Sequence, residues 1–294
     1  MLCHRRAHNR RVATKGDDAM RLHNSFLLAV GASLTLGASA FAQDASTQGP
    51  PTASAQSNAA PAAAATPAPA AAAPTPDLVI AYNFGAQTDY IFRGVSQTKE
   101  RASGFAGIDV TYKGQFYVGT WTSNVDFSPF GDNSTNEEVD LYGGWRPTVA
   151  GFSLDLGYQY YGYVDQTAHV PEDYSEVYIK GTRGFGPLTL GASFYYSPNF
   201  PGITKDAQYY ELNAAYTIDP KWSLSGAVGR QDESKAIYIT GGDSKDFDYT
   251  TWNAGATYAI NDHISLDLRY WDTDKHSSGD PYHSHVVGQL KATF

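Results

Sequence analysis

The chain has 294 residues and a formal net charge of −9, with 21 Tyr, 14 Phe and 5 Trp against only 2 Met. Acidic residues outnumber basic ones and no basic stripe could neutralise phosphates, so nucleic acid is excluded as a partner. The single cysteine, Cys3, excludes a disulfide framework, and the aromatic, Gly-rich composition is unlike that of a helical domain.

Residues 1–19 are polar and basic, with Arg5, Arg6, Arg10, Arg11 and Lys15. Met20 then opens a better-formed start. Arg21 and His23 give a short polar region, Phe26 to Leu36 an apolar run, and Ala40-Phe41-Ala42 a small-x-small cleavage pattern. This predicts an export signal that starts at Met20 and is cut after Ala42, with residues 1–19 a misplaced extension. The apolar run is too short for a comfortable membrane span, which takes about 20 residues. Cys3 would be lost with the signal. Residues 43–76 are almost entirely Ala, Pro, Thr, Ser and Gln, which cannot bury enough apolar surface to offset ordering entropy. They are expected to form a disordered tether. No apolar run of helix-spanning length follows it.

From Asp77 to Phe294 the texture changes and stays uniform, marking one domain. Apolar and polar residues alternate with period two. Phe152, Leu154, Leu156, Tyr158 and Tyr160 interleave with Ser153, Asp155, Gly157, Gln159 and Tyr161. Ile264, Leu266, Leu268 and Tyr270 interleave with Ser265, Asp267, Arg269 and Trp271. Helices would need steps of three and four. Twelve strands are predicted, over 79–93, 103–113, 115–126, 136–147, 152–164, 173–183, 187–198, 206–218, 221–231, 248–260, 263–273 and 282–294. Short polar connections (113–114, 146–151, 184–187, 219–220, 261–262) alternate with longer ones around 94–102, 127–135, 165–172, 199–205, 232–247 and 274–281. That layout predicts a closed antiparallel transmembrane β-barrel with short periplasmic turns and longer external loops.

Three features point the apolar face outward, toward lipid: the export signal, the segregated loop lengths and the last strand. That strand ends on Phe294, and a C-terminal aromatic of this kind resembles the assembly signal of bacterial outer-membrane barrels, which makes the barrel-assembly machinery and outer-membrane lipids the expected partners. The lumen is then expected to hold Asp89, Arg93, Asp109, Lys113, Asp140, Arg146, Asp155, Glu176, Lys180, Glu211, Asp267, Arg269 and Lys291. Such charges need water or one another. Twelve strands lie between the eight that side chains nearly fill and the sixteen to eighteen of an open channel.

Asn83-Phe84-Gly85, then Asp89-Tyr90-Ile91-Phe92-Arg93-Gly94-Val95-Ser96-Gln97-Thr98, resemble the opening signature of the TorF-type porin family. Glu138-Val139-Asp140-Leu141-Tyr142-Gly143-Gly144-Trp145, Tyr174-Ser175-Glu176-Val177-Tyr178 and Ser197-Pro198-Asn199-Phe200 extend the resemblance over about 78–294. It implies an outer-membrane barrel and passive transport, without a defined solute or binding residues.

Individual candidates have mostly structural readings. Asp89 and Arg93 could set ion preference at a pore mouth, but a structural pair bracing the first loop is favoured. His283 and His285 share a strand face near His276, Asp272 and Asp274, yet spacing fixes no third metal ligand, so hydrogen-bonded rim residues are expected. Asp126, Asp132, Asn133, Glu137, Glu138, Asp243, Asp246 and Asp248 lack calcium-loop spacing and read as solvated loop acids. No nucleophile-elbow motif accompanies the isolated His169 and His263. Catalytic, cofactor and metal sites are therefore not expected. The leading reading is a passive channel for small hydrophilic solutes or ions, with near-balanced lumen charge and a homo-oligomer left open. The alternatives are a barrel hydrolase acting on lipid or peptide, and a structural or adhesive barrel with a plugged lumen.

Overall fold

A computed structural model describes residues 77–166, 172–201, 206–233 and 248–294. The period-two segments form twelve long strands: β1 (Leu78–Gln87), β2 (Ser103–Tyr112), β3 (Phe116–Asn124), β4 (Glu137–Trp145), β5 (Phe152–Val164), β6 (Tyr174–Phe185), β7 (Leu188–Ser197), β8 (Ala207–Thr217), β9 (Trp222–Glu233), β10 (Tyr249–Ala259), β11 (Ile264–Thr273) and β12 (His285–Thr293). Each pairs antiparallel with the next, and β1 pairs with β12 from Asn83↔Thr293 to Gln87↔Gln289, which closes the sheet. Closure leaves no unpaired edge, the condition for carrying backbone amides through hydrocarbon.

Most strand limits fall within two residues of the sequence expectation. There are two exceptions. β1 stops at Gln87 instead of 93, because residues 89–98 turn inward as a separate hairpin, Ile91–Phe92 with Val95–Ser96. β12 starts at His285 instead of 282, because Asp280–Tyr282 close a 3-10 turn on Pro281. The tight connections also have a local cause. Lys113 and Gly114 both take positive φ (51° and 66°), a two-residue twist that matches antiparallel strands. Lys113 is therefore an exposed turn residue and not a lumen residue, contrary to expectation.

The barrel is inside-out relative to a water-soluble one. More than thirty large apolar side chains point outward, Val286 at 67% exposure and Leu212 at 63%, whereas Asp140, Gln159 and Gln231 inside are at 0%. Each outward side chain left in water would forgo about 1.5–3 kcal/mol, so this face belongs in lipid. At the short-turn end an exposed aromatic belt includes Tyr112, Phe116, Trp145, Phe152, Phe185, Trp222 and Phe294. Phe116 stacks on Trp145 and Phe294 on Phe84. Such amphipathic rings suit a membrane interface.

Candidate functional site

Strand parity builds the lumen wall. Asp109 on β2, Asp140 on β4, Asp155 on β5, Glu176 and Lys180 on β6, Glu211 on β8, Asp267 and Arg269 on β11 and Lys291 on β12 share the inward parity, and Arg146 follows directly after β4. Toward the short turns, Arg146 stacks over Tyr117 (3.7 Å) and reaches Asp155 at 3.5 Å. The Tyr117 hydroxyl donates to Asp155 and contacts that of Tyr178, while Tyr142 donates to Asp109. Lys180 lies over the Tyr178 ring at 4.6 Å. Arg269 donates to both oxygens of Asp267, to Asn253 and to Ser225, all within β9–β11.

The first-loop hairpin crosses this space. Tyr90, Ile91, Val95, Ser96 and Thr98 are buried, although they belong to no wall strand. Ile91 packs with Trp271 and Val287, and Tyr90 packs edge-on against Trp121 while its hydroxyl donates to Glu138. The tip is Arg93-Gly94, with φ of 50° and 85°. A side chain at Gly94 would collide with Thr251 and Thr273, so glycine is required there both for its φ and for its close approach to β10 and β11. Arg93 reaches the far wall. Its Nη1 and Nη2 donate to Glu176 at 3.0 and 2.7 Å, and Nη1 also donates to Gln231 at 3.1 Å. Its guanidinium lies 4.9 Å from the Tyr195 ring centre and 4.4 Å from that of Tyr209.

Asp89 and Arg93 thus do not pair with each other. Asp89 accepts from Ser96 and Thr98 at 2.7 Å and lies 3.4 Å from His285. His285 is buried on the lumen side and donates to the Pro281 carbonyl, whereas His283 is exposed and lies outside the strand. The expected shared strand face therefore does not exist. His276 bonds Asp272, Asp274 accepts from the Thr250 amide, and His263 stacks on Phe294 at the short-turn end.

Among the loop acids, Asp126 caps Ser128 and pairs with Arg101, Asp132 holds the Ser134–Thr135 turn, Glu137 accepts from Thr122, and Asp248 meets Arg230. Asn133 is exposed. His169, Asp243 and Asp246 lie outside the described residues.

Glu138 was misread as a loop acid. It is 2% exposed and lines the lumen two residues before Asp140. Its parity with Asp140 and Tyr142 was the available signal, masked by the polar run Asn136-Glu137. Adding Glu138 and removing Lys113 replaces near-balance with eight carboxylates (Asp89, Asp109, Glu138, Asp140, Asp155, Glu176, Glu211, Asp267) against five cations (Arg93, Arg146, Lys180, Arg269, Lys291) along the mid-barrel wall and hairpin. Gln231, Tyr195 and Tyr209 also escaped sequence reading, since neutral partners across a barrel carry no charge pattern.

A family described as "Bacterial protein of unknown function (Gcw_chp)" matches residues 71–294, and the chain belongs to that family. No curated protein matches the chain. Among solved structures it is similar to the KdgM porin (9% identity, 74% of this chain and 98% of that one, TM-score 0.47). It is also similar to the NanC porin (8%, 74% and 99%, TM-score 0.48). An outer membrane channel from Pseudomonas putida F1 aligns with 10% identity over 78% of this chain and 99% of that one, TM-score 0.48.

Proposed function

We propose that this member of the Gcw_chp family is a bacterial outer-membrane channel for small hydrophilic solutes, with a preference for cations. The observation that carries the reading is the polarity of the barrel: an apolar outer belt around a lumen lined by charges and hydroxyls. Charges cannot be held in such numbers without water or partners, and here carboxylates exceed cations by eight to five. The family expected from the sequence, the TorF-type porins, fits this reading. So do the periplasmic placement of the short turns and the role of Phe294 as an assembly signal for the barrel machinery. The hairpin narrows the path, and Arg93 is its innermost charged group in contact with the far wall.

Single-channel recording from the refolded protein in a planar bilayer tests the proposal. Discrete conductance steps are expected, with a reversal potential in a KCl gradient displaced toward the potassium equilibrium value. A correctly folded barrel without steps would instead favour a lumen sealed by the hairpin, the reading supported by the full burial of Ile91 and Ser96.

A further inference from the structure

Arg93 occupies a site that does not need Arg93 to exist. Glu176 stands on β6, Tyr195 on β7, Tyr209 on β8 and Gln231 on β9, four consecutive wall strands held in register by their own ladders. Together they offer one carboxylate, one amide carbonyl and two aromatic faces around a single point in the lumen. Tyr161 donates to Glu176, which fixes its carboxylate, and Tyr209 donates to Glu211, which enriches the Tyr209 ring facing the guanidinium. Gly229 lies directly beneath the Tyr209 ring, so the ring can lie flat against β9. Every part of this cage except Phe92 comes from the wall; the hairpin supplies the cation.

The donor set selects a chemistry. A divalent metal takes six or more oxygens, or a fixed group of nitrogen and sulfur ligands, and the cage offers neither. One forked carboxylate with aromatic faces matches a planar guanidinium or a primary ammonium. The hairpin that fills the cage is a separate two-stranded ladder, outside the barrel sheet. It is a two-residue turn with Arg93 itself at positive φ, a conformation a non-glycine residue keeps only when its surroundings hold it there.

We propose that Arg93 is a resident pseudo-ligand, and that the Glu176–Tyr195–Tyr209–Gln231 cage binds the guanidinium or ammonium group of small organic cations passing through the lumen. This rests on the channel reading, so its test has a readout that does not need conductance. With Arg93→Ala protein in bilayers, agmatine should block the current at concentrations at least tenfold lower than for the wild type, whose cage is filled. Arg93→Ala/Glu176→Gln should lose that sensitivity. In detergent, millimolar guanidinium chloride should raise the unfolding temperature of Arg93→Ala relative to equal NaCl, and leave the double variant unmoved. Arg93→Lys, which keeps the charge but cannot fork, is the fallback should the alanine variant not fold, and it should show intermediate block.

Block and thermal rescue confined to variants with Glu176 intact support the cage. Steps that persist in Arg93→Ala without enhanced block overturn the cage and leave the channel standing. Thermal rescue in a protein that never conducts supports the cage and overturns the channel reading. The absence of both rescue and block overturns the cage, whichever variant is used.

Discussion

Two arginines are buried in the lumen among the described residues, and they have opposite kinds of partner. Arg269 sits mid-strand on β11 and satisfies its fork on Asp267 two residues away, on Asn253 of β10 and on Ser225 of β9. Arg93 sits on a loop and reaches Glu176 and Gln231, 83 and 138 residues away in sequence. The first network joins strands already adjacent through their ladders. It braces the wall. The second joins a separate hairpin to the opposite side of the barrel, so it determines what occupies the lumen. The same guanidinium chemistry therefore braces the wall in one place and anchors the lumen hairpin in the other.

Removing each arginine should separate these roles. Arg269→Ala leaves Asp267 and Asn253 buried without their cation, and one-sided removal of a buried pair costs about 3–5 kcal/mol. Its unfolding temperature in detergent should fall by more than that of any other single variant considered, with little change in conductance among molecules that fold. Arg93→Ala also removes a cation from a buried carboxylate, but Glu176 keeps the Tyr161 hydroxyl as a donor, so the stability loss should be smaller. Its conductance should rise several-fold. Equal thermal losses with unchanged conductance in both variants would erase the distinction between brace and tether.

The wall was legible in the sequence because one strand period fixes every inward residue at once. Asp109, Asp140, Asp155, Glu176, Lys180, Glu211, Asp267 and Arg269 all follow from alternation alone. The hairpin was not. Thr88 to Arg93 continue the alternation of β1 well enough to read as six more strand residues, yet the backbone bends away at Thr88 and Asp89, before the positive φ of Arg93 and Gly94 closes the hairpin. Arg93-Gly94 is a hairpin-turn signal, but nothing local says that the turn points into the barrel. That direction depends on the fit of Tyr90 to Trp121 and of Ile91 to Trp271 and Val287, contacts spread over three strands distant in sequence. Long-range packing of this kind leaves no period.

The hairpin's own geometry sharpens the comparison further. Gly94→Ala drives a methyl group into the Thr251 hydroxyl, at a φ of 85°. A non-glycine residue at such φ costs on the order of 1 kcal/mol, and the contact adds to that. The expected result is a normal barrel with a loosened hairpin, seen as protease cleavage within 88–102 and a conductance between those of wild type and Arg93→Ala. A fall in barrel unfolding temperature as large as that of Arg269→Ala would mean that the hairpin is part of the brace.

The smallest expected effect lies outside both arginine networks. Thr135, in the connection between β3 and β4, donates to Glu172 just before β6. Burial pushes the Glu172 carboxyl up to about 7, with Asp132 and Asp173 adding to the rise and the Thr135 hydroxyl opposing it. For an acid whose folded value lies above its unfolded 4.5, the folded state holds the proton more tightly. The contribution to docking is therefore fully present below about 4.5 and is lost as pH rises through about 7. Hydrogen exchange at residues 132–136, corrected for the intrinsic pH effect, should show more opening at pH 8 than at pH 5. Glu172→Gln should flatten that dependence, and Arg93→Ala should leave it intact, because Arg93 and the Thr135–Glu172 pair share no hydrogen-bond partner among the described residues. A pH response that disappears in Arg93→Ala would instead couple the two sites through the bond from the Asp126 amide to the Gln97 carbonyl, which ties this connection to the hairpin segment.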